Sequence, residues 1–136
     1  MSKKFIHVAV GIVLRAGQIF LTKRADDAHQ GGKWEFPGGK VELNESVDEA
    51  LFRELSEEIG ITLSQSQPYV TIEHDYPEKS VRLDFHLVRD FDGEPSGCEG
   101  QAFQWVTIDA LATLTFPDAN QLVVDKLMAD ETLNAD

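Results

Sequence analysis

The chain has 136 residues, 42% of them hydrophobic and 26% charged, enough for one domain with a buried core and too few for two. Its 24 acidic against 12 basic residues leave a net charge of −12. That balance disfavours polymeric nucleic acid and anionic lipid, whose binding rests on Lys and Arg meeting phosphate, but it admits a small polyanion delivered with a divalent metal. One cysteine, Cys98, excludes an internal disulfide framework and fits a reducing compartment.

Lys3-Lys4 before the apolar run Phe5 to Leu14 superficially matches a secretion signal. His7 interrupts the run, Arg15 follows it and no small-residue cleavage pair stands after it, so the expectation is a buried strand in a cytoplasmic protein. Residues 4–15 and 18–24 are predicted strands joined at Ala16-Gly17. A polar loop covers 25–33 and a short strand Lys33 to Phe36. Phe36-Pro37-Gly38-Gly39-Lys40 is expected to be irregular, because Pro and paired Gly break regular structure.

A helix is predicted over about 47–59, with Ser46 and Glu49 as its capping box and Gly60 just past its end. Strands follow at 69–76 and 80–90, with a turn near Pro77-Glu78-Lys79. A Gly-rich loop from Asp92 to Gly100 leads to a strand around 102–107. A last helix starts near Asp118 and carries Leu122, Val123, Leu127 and Met128 at helical spacing. No linker, repeat or low-complexity tract divides the chain. The order describes one α+β or mixed α/β domain over 1–136, without the alternation of a doubly wound fold.

On the first helix, with Glu54 placed at zero, Glu57 falls at about 300° and Glu58 at about 40°. Val47, Leu51, Leu55 and Ile59 fall between about 20° and 140°, so the acidic arc borders the apolar stripe instead of opposing it. The preceding Pro-Gly-Gly segment is expected to bring backbone groups to the N-terminal side of this helix. Crowded like charges beside a core repel one another, and a cation removes that cost. Oxygen ligands with no His or Cys cluster nearby point to Mg²⁺, or Mn²⁺ in its place, and away from zinc. Arg53, four residues from both Glu49 and Glu57, can steady the acidic side chains. A Glu-rich helix is also the ordinary form of a solvated face, and periodicity leaves both readings open. His7, His29, His74 and His86 lack ligand spacing and are expected to be structural.

Gly39, Glu45 and Arg53-Glu54-Leu55-Ser56-Glu57-Glu58-Ile59-Gly60-Ile61 stand at the spacing of a complete Nudix box, and the chain resembles that hydrolase family. Outside the box, Leu21-Thr22-Lys23-Arg24, Ala28-His29, Glu35-Phe36-Pro37-Gly38-Gly39-Lys40, Gly93-Glu94-Pro95, Glu99-Gly100-Gln101, Phe116-Pro117 and Ala119-Asn120 are similar to its MutT-like branch. The resemblance implies a mixed sheet between helices, with the box as loop–helix–loop. It also implies Mg²⁺-dependent hydrolysis of 8-oxo-dGTP, and of 8-oxo-GTP, to a nucleoside monophosphate and pyrophosphate, which keeps oxidised precursors out of replicating DNA.

By the same resemblance Glu54, Glu57, Glu58 and the Gly39 carbonyl are metal ligands, Arg53 orients Glu54, and Glu99 is a further ligand or the general base. Arg24 and Lys40 are expected on phosphate, since guanidinium suits phosphate oxygens. Phe36, Tyr76 and Val81 are expected around the base, and Asn120 matches the asparagine that reads the purine. The expected partner is a small nucleotide, with no polymeric nucleic acid and no membrane, bound by a monomer. Two alternatives stand beside this reading. One is hydrolysis of another nucleoside diphosphate derivative such as ADP-ribose, a subgroup that Pro77 also resembles. The other is a non-catalytic nucleotide-sensing module, against which the intact glutamate set speaks.

Overall fold

The computed structural model describes residues 4–26 and 31–133; Ala28 and His29 lie outside them. Chain order gives β1 (Lys4–Arg15), β2 (Gln18–Lys23), β3 (Trp34–Glu35), β4 (Gly38–Lys40), α1 (Val47–Ile59), β5 (Thr62–Asp75), β6 (Lys79–Asp92), β7 (Phe103–Thr107), a 3₁₀ turn at Asp109–Thr113 and α2 (Asp118–Ala129). The strands run β3-β2-β1-β6-β5, with β4 added to β1 and β7 to β2. β1 and β6 are parallel, from Lys4 opposite Lys79 to Val13 opposite Val88. The other pairs are antiparallel, so the sheet is mixed and the fold α+β, as expected.

β1 is the axis of the fold, and its alternation separates two cores. Val10, Ile12 and Leu14 pack with Phe85, Leu87, Val123, Val124 and Leu127 on the α2 side. Ala9 and Val13 pack with Leu51, Leu55, Ile59 and Val88 on the α1 side. Gly11 leaves room for α1, because a Cβ there would stand 3.1 Å from a Leu55 methyl. The expected hairpin is present, with Ala16 at φ 52° and Gly17 at φ 76°, the left-handed pair that suits strand twist.

α1 has the predicted ends. Ser46 and Glu49 form the reciprocal box and Gly60 closes the helix at φ 75°. The apolar face expected for α2 is corrected in part: Val123, Val124 and Leu127 are buried, while Leu122 and Met128 face outward. β5 starts at Thr62, seven residues earlier than predicted, and carries register shifts between Leu63 and Val70, which blur the two-residue alternation on which a sequence reading depends. Of the described histidines, His7 meets Asp84 at 2.6 Å and His86 meets Ser66 at 2.9 Å, a structural use of both.

A further correction concerns residues 36–40. Gly38–Lys40 is not irregular but a short strand opposite Val8–Val10. The glycines that argued against regular structure are what permit it. A Cβ on Gly38 would meet the Ala9 carbonyl oxygen, and one on Gly39 the Glu54 carboxylate.

Because the atoms facing Gly38 belong to backbone, Gly38→Ala has nothing flexible to displace. Overpacking of this kind costs about 1–3 kcal/mol or more, and the expected result in urea unfolding is an unfolding free energy lowered by that amount, read as a lower midpoint with the slope unchanged.

Candidate active site

The site grows from α1. Its first turn carries Asp48 and Glu49, its last turn holds no basic residue, and Glu54, Glu57 and Glu58 occupy the C-terminal half, where the helix dipole disfavours negative charge. Arg53 answers part of that repulsion. Its Nε and Nη2 donate to both oxygens of Glu45 at 2.8 and 2.9 Å, its Nη1 to Glu54 at 2.9 Å, and Nη2 also to the Lys40 carbonyl at 3.0 Å. Glu57 lies 3.5 Å from the same guanidinium. Glu49, expected to be steadied by Arg53, instead accepts from the Ser46 N–H within the capping box, which turns it away.

The hydrogen bonds from Arg53, with a further one from the Glu42 N–H, hold the Glu45 carboxyl at about 2, well below the usual carboxylate range. The Glu45 and Glu54 interactions raise Arg53 above its ordinary value. Glu45 therefore stays a fixed anion, and the guanidinium it grips is rigidly presented to Glu54.

The Pro-Gly-Gly segment meets the C-terminal half of α1, not the N-terminal side expected from sequence. The Gly38 N–H donates to Glu58 at 3.2 Å, and Gly39 lies directly against the Glu54 carboxylate. Burial pushes Glu58 up to about 8, and Glu35, Glu99 and Glu54 add to the shift against the opposing Gly38 hydrogen bond. Four carboxylates from three separate elements thus share one neighbourhood.

Glu35 was not singled out by sequence. It is tied to Arg24 at 2.7 Å, and burial raises its pKa against the pull of that arginine. An ionisable residue at the end of a strand, one residue short of the Pro-Gly-Gly run, was the available signal. Arg24 and Glu99, both expected in the site, line one cleft together with Lys23, Asp26 and Gln101.

Among the described residues no three acidic, His or Cys side chains converge closely enough to grip a metal. Glu54 is turned to Arg53, Glu58 to Gly38, and Glu57 is open to solvent. The donor chemistry still suits a hard divalent cation: carboxylate oxygens and a glycine carbonyl, with a mutual repulsion that proton uptake by Glu58 only partly relieves.

The Phe36 ring, expected beside a base, belongs to the core. It is 4% exposed, stacked on Phe116 at 5.7 Å and edge-on to Phe85 at 6.0 Å. That stack, with the hydrogen bond from the Trp34 N–H to the Thr115 carbonyl at 2.8 Å, carries the start of α2 to the segment that touches Glu54 and Glu58. Asn120 stands there, half-buried. Helix capping does not use its carboxamide: Pro117 is the cap residue and no side chain caps the end.

Val81 is half-buried and shares the α2 face of β6 with Leu83 and Phe85. It stands opposite Ile6 and His74, two residues along β1 from the Val8–Lys40 pair, or about 7 Å. Tyr76 packs on His74 with ring centroids 4.5 Å apart. Lys40 is exposed.

The family described as NUDIX domain matches residues 9–126. The chain is 42% identical over 125 residues to a protein named 8-oxo-dGTP diphosphatase from Escherichia coli (strain K12), covering 91% of this chain and 97% of that one. It is 43% identical over 135 residues to a protein of the same name from Haemophilus influenzae, covering 98% of each. A solved structure described as MutT from Aliivibrio salmonicida and Vibrio cholerae shares 48% identity at a TM-score of 0.81, over 93% of this chain and 98% of that one.

Gly39→Ala differs from Gly38→Ala in what it strikes, the mobile end of Glu54 and not backbone. The expected outcome is a melting temperature within about 5 °C of wild type. Mn²⁺ affinity, read by electron paramagnetic resonance, should fall about tenfold or more.

Proposed function

The chain belongs to the NUDIX domain family, and from that premise we propose that it is an 8-oxo-dGTP diphosphatase. It hydrolyses 8-oxo-dGTP, and 8-oxo-GTP, to the nucleoside monophosphate and pyrophosphate, and so keeps oxidised purine out of replicating DNA. The observation that carries this reading is the gathering of Glu54 and Glu58 against Gly38-Gly39, with Arg53 fixing the first of them. Relatives that match nearly the whole chain and bear that enzyme's name support it.

The residues that would hold a divalent cation are Glu54, Glu57, Glu58 and the Gly39 carbonyl, with Glu99 facing them; Mg²⁺ is the expected ion and Mn²⁺ its substitute. Bound there, the ion supplies neutralising charge for the phosphates and an acidified water. Water adds to the β-phosphorus, the bond from that phosphorus to the α–β bridging oxygen breaks, and the monophosphate leaves with that oxygen. A carboxylate of the Glu54 and Glu99 set accepts the water's proton. Arg53 keeps the Glu54 carboxylate against Gly39 while this happens. Arg24 and Lys40 bring positive charge to the phosphate chain, Arg24 in exchange for part of its hold on Glu35.

Asn120 supplies selectivity. In 8-oxoguanine N7 carries hydrogen, so one carboxamide can donate to O6 and accept from N7–H. With guanine the amide oxygen faces the N7 lone pair, and turning the amide over only moves the clash to O6. A mismatch inside a desolvated site separates substrates far more strongly than shape does. Val81 and Tyr76, on the shelf beyond Lys40, bound the base. A monomer acting alone in the reducing cytoplasm fits the net charge of −12 and the single cysteine. No described helix is long and apolar enough to cross a membrane.

Steady-state hydrolysis of 8-oxo-dGTP, dGTP and ADP-ribose with Mg²⁺ tests the proposal. The expected order is 8-oxo-dGTP far ahead of dGTP, with ADP-ribose unused and chelation by EDTA ending turnover. Equal rates on the two purine triphosphates would remove the sanitising role. Glu54→Gln is expected to lower kcat by about 10²–10⁴-fold with an unchanged circular dichroism spectrum; near-wild-type turnover in it would discredit this site. Asn120→Ala is expected to erase about two powers of ten of the preference for the oxidised base. A slower enzyme with the same preference would mean that another group reads the purine.

A further inference from the structure

The loop from Gly93 to Ala102 joins β6 to β7 and folds over the C-terminal end of α1. Three of its donors meet the last carbonyls of that helix: the Ser96 N–H reaches Ile59 at 3.0 Å, and the Cys98 N–H and Gln101 Nε2 reach Glu58 at 3.1 and 3.3 Å. The same Gln101 side chain turns its Oε1 back to accept the Glu99 N–H at 2.9 Å. Gly97 permits this closure, since a Cβ on it would meet the Gln101 carbonyl oxygen.

Glu99 is exposed, and among the described residues its carboxylate receives no hydrogen bond, so the backbone decides where that carboxylate stands. One carboxamide thus links the backbone of Glu99 to the backbone of Glu58, whose carboxylate feels the charge of Glu99. On the reading given under Proposed function, we propose that Gln101 is a positioning residue for Glu99, holding its loop on the end of α1 so that its carboxylate faces those of the helix. A side chain that donates and accepts at once is required. Glu cannot donate, and Met has nearly the length of Gln but neither group.

The test compares wild type, Gln101→Met, Glu99→Gln and the double variant in kcat and KM for 8-oxo-dGTP. It is joined by amide hydrogen exchange at Cys98 and Glu99. Gln101→Met is expected to lower kcat about tenfold to a hundredfold, to leave KM within about threefold and to speed exchange at both amides while the core of α1 stays protected. In the Glu99→Gln background the same change should cost nothing further, because residues acting as one unit are not additive. Independent, multiplying losses would overturn the proposal, as would wild-type kcat in Gln101→Met beside an impaired Glu99→Gln, or an unimpaired Glu99→Gln. If Gln101→Met unfolds, Gln101→Glu keeps the acceptor for Glu99 and should show the same non-additivity. Exchange needs no turnover, so a wild-type protein inert toward 8-oxo-dGTP would count against the proposed function alone.

Discussion

Negative charge on the C-terminal half of α1 is the constraint around which the surrounding structure is arranged. Glu54, Glu57 and Glu58 stand where the helix carbonyls already point and where neighbouring carboxylates add their own repulsion. Each nearby feature relieves part of it. Arg53 divides its donors between Glu45 and Glu54, the Gly38 amide meets Glu58, and the loop after β6 covers the last carbonyls of the helix with N–H donors. Burial, with the neighbouring charges of Glu35, Glu99 and Glu54 adding to it, still pushes the Glu58 carboxyl up to about 8. A helix built for stability alone would carry lysine there.

The segment from Trp34 to Lys40 turns that local problem into a site. It is bound to the start of α2 through Trp34 and Phe36, to β1 through β4 and to the carboxylates through its two glycines. Its position follows from packing on both faces of β1, one covered by α1 and the other by α2. Because Phe36 is locked between Phe85 and Phe116, the distance between Asn120 and the acidic helix is set by a packed core. On the proposed reading, that core thereby sets the span between the group offered to the purine and those offered to the phosphates.

Local features were legible in the sequence for a physical reason. The capping box, the left-handed Gly60 and the Ala16-Gly17 turn depend on residues within about four positions of one another, and all are present. The acidic arc could likewise be placed against the apolar stripe from the helical period alone. Asn120, and the ligand roles of the carboxylates, came from the family resemblance, and no periodicity in the chain relates the start of α2 to the acidic helix.

The sequence by itself determined which segments become helix or strand at the caps and turns, the order of the acidic residues, and a net charge that disfavours polymeric nucleic acid and anionic lipid while admitting a small, metal-bridged anion. The tertiary structure decided the rest. Gly38–Lys40 became a strand because close approach to β1 outweighed glycine's poor local propensity. Arg53 took Glu45 as its partner because the capping box had engaged Glu49. Phe36 went to the core, and Glu35, invisible as a site residue, was drawn to Arg24 beside Glu58. These outcomes turn on space and charge contributed by segments far apart along the chain, and such quantities exist only once the chain has folded.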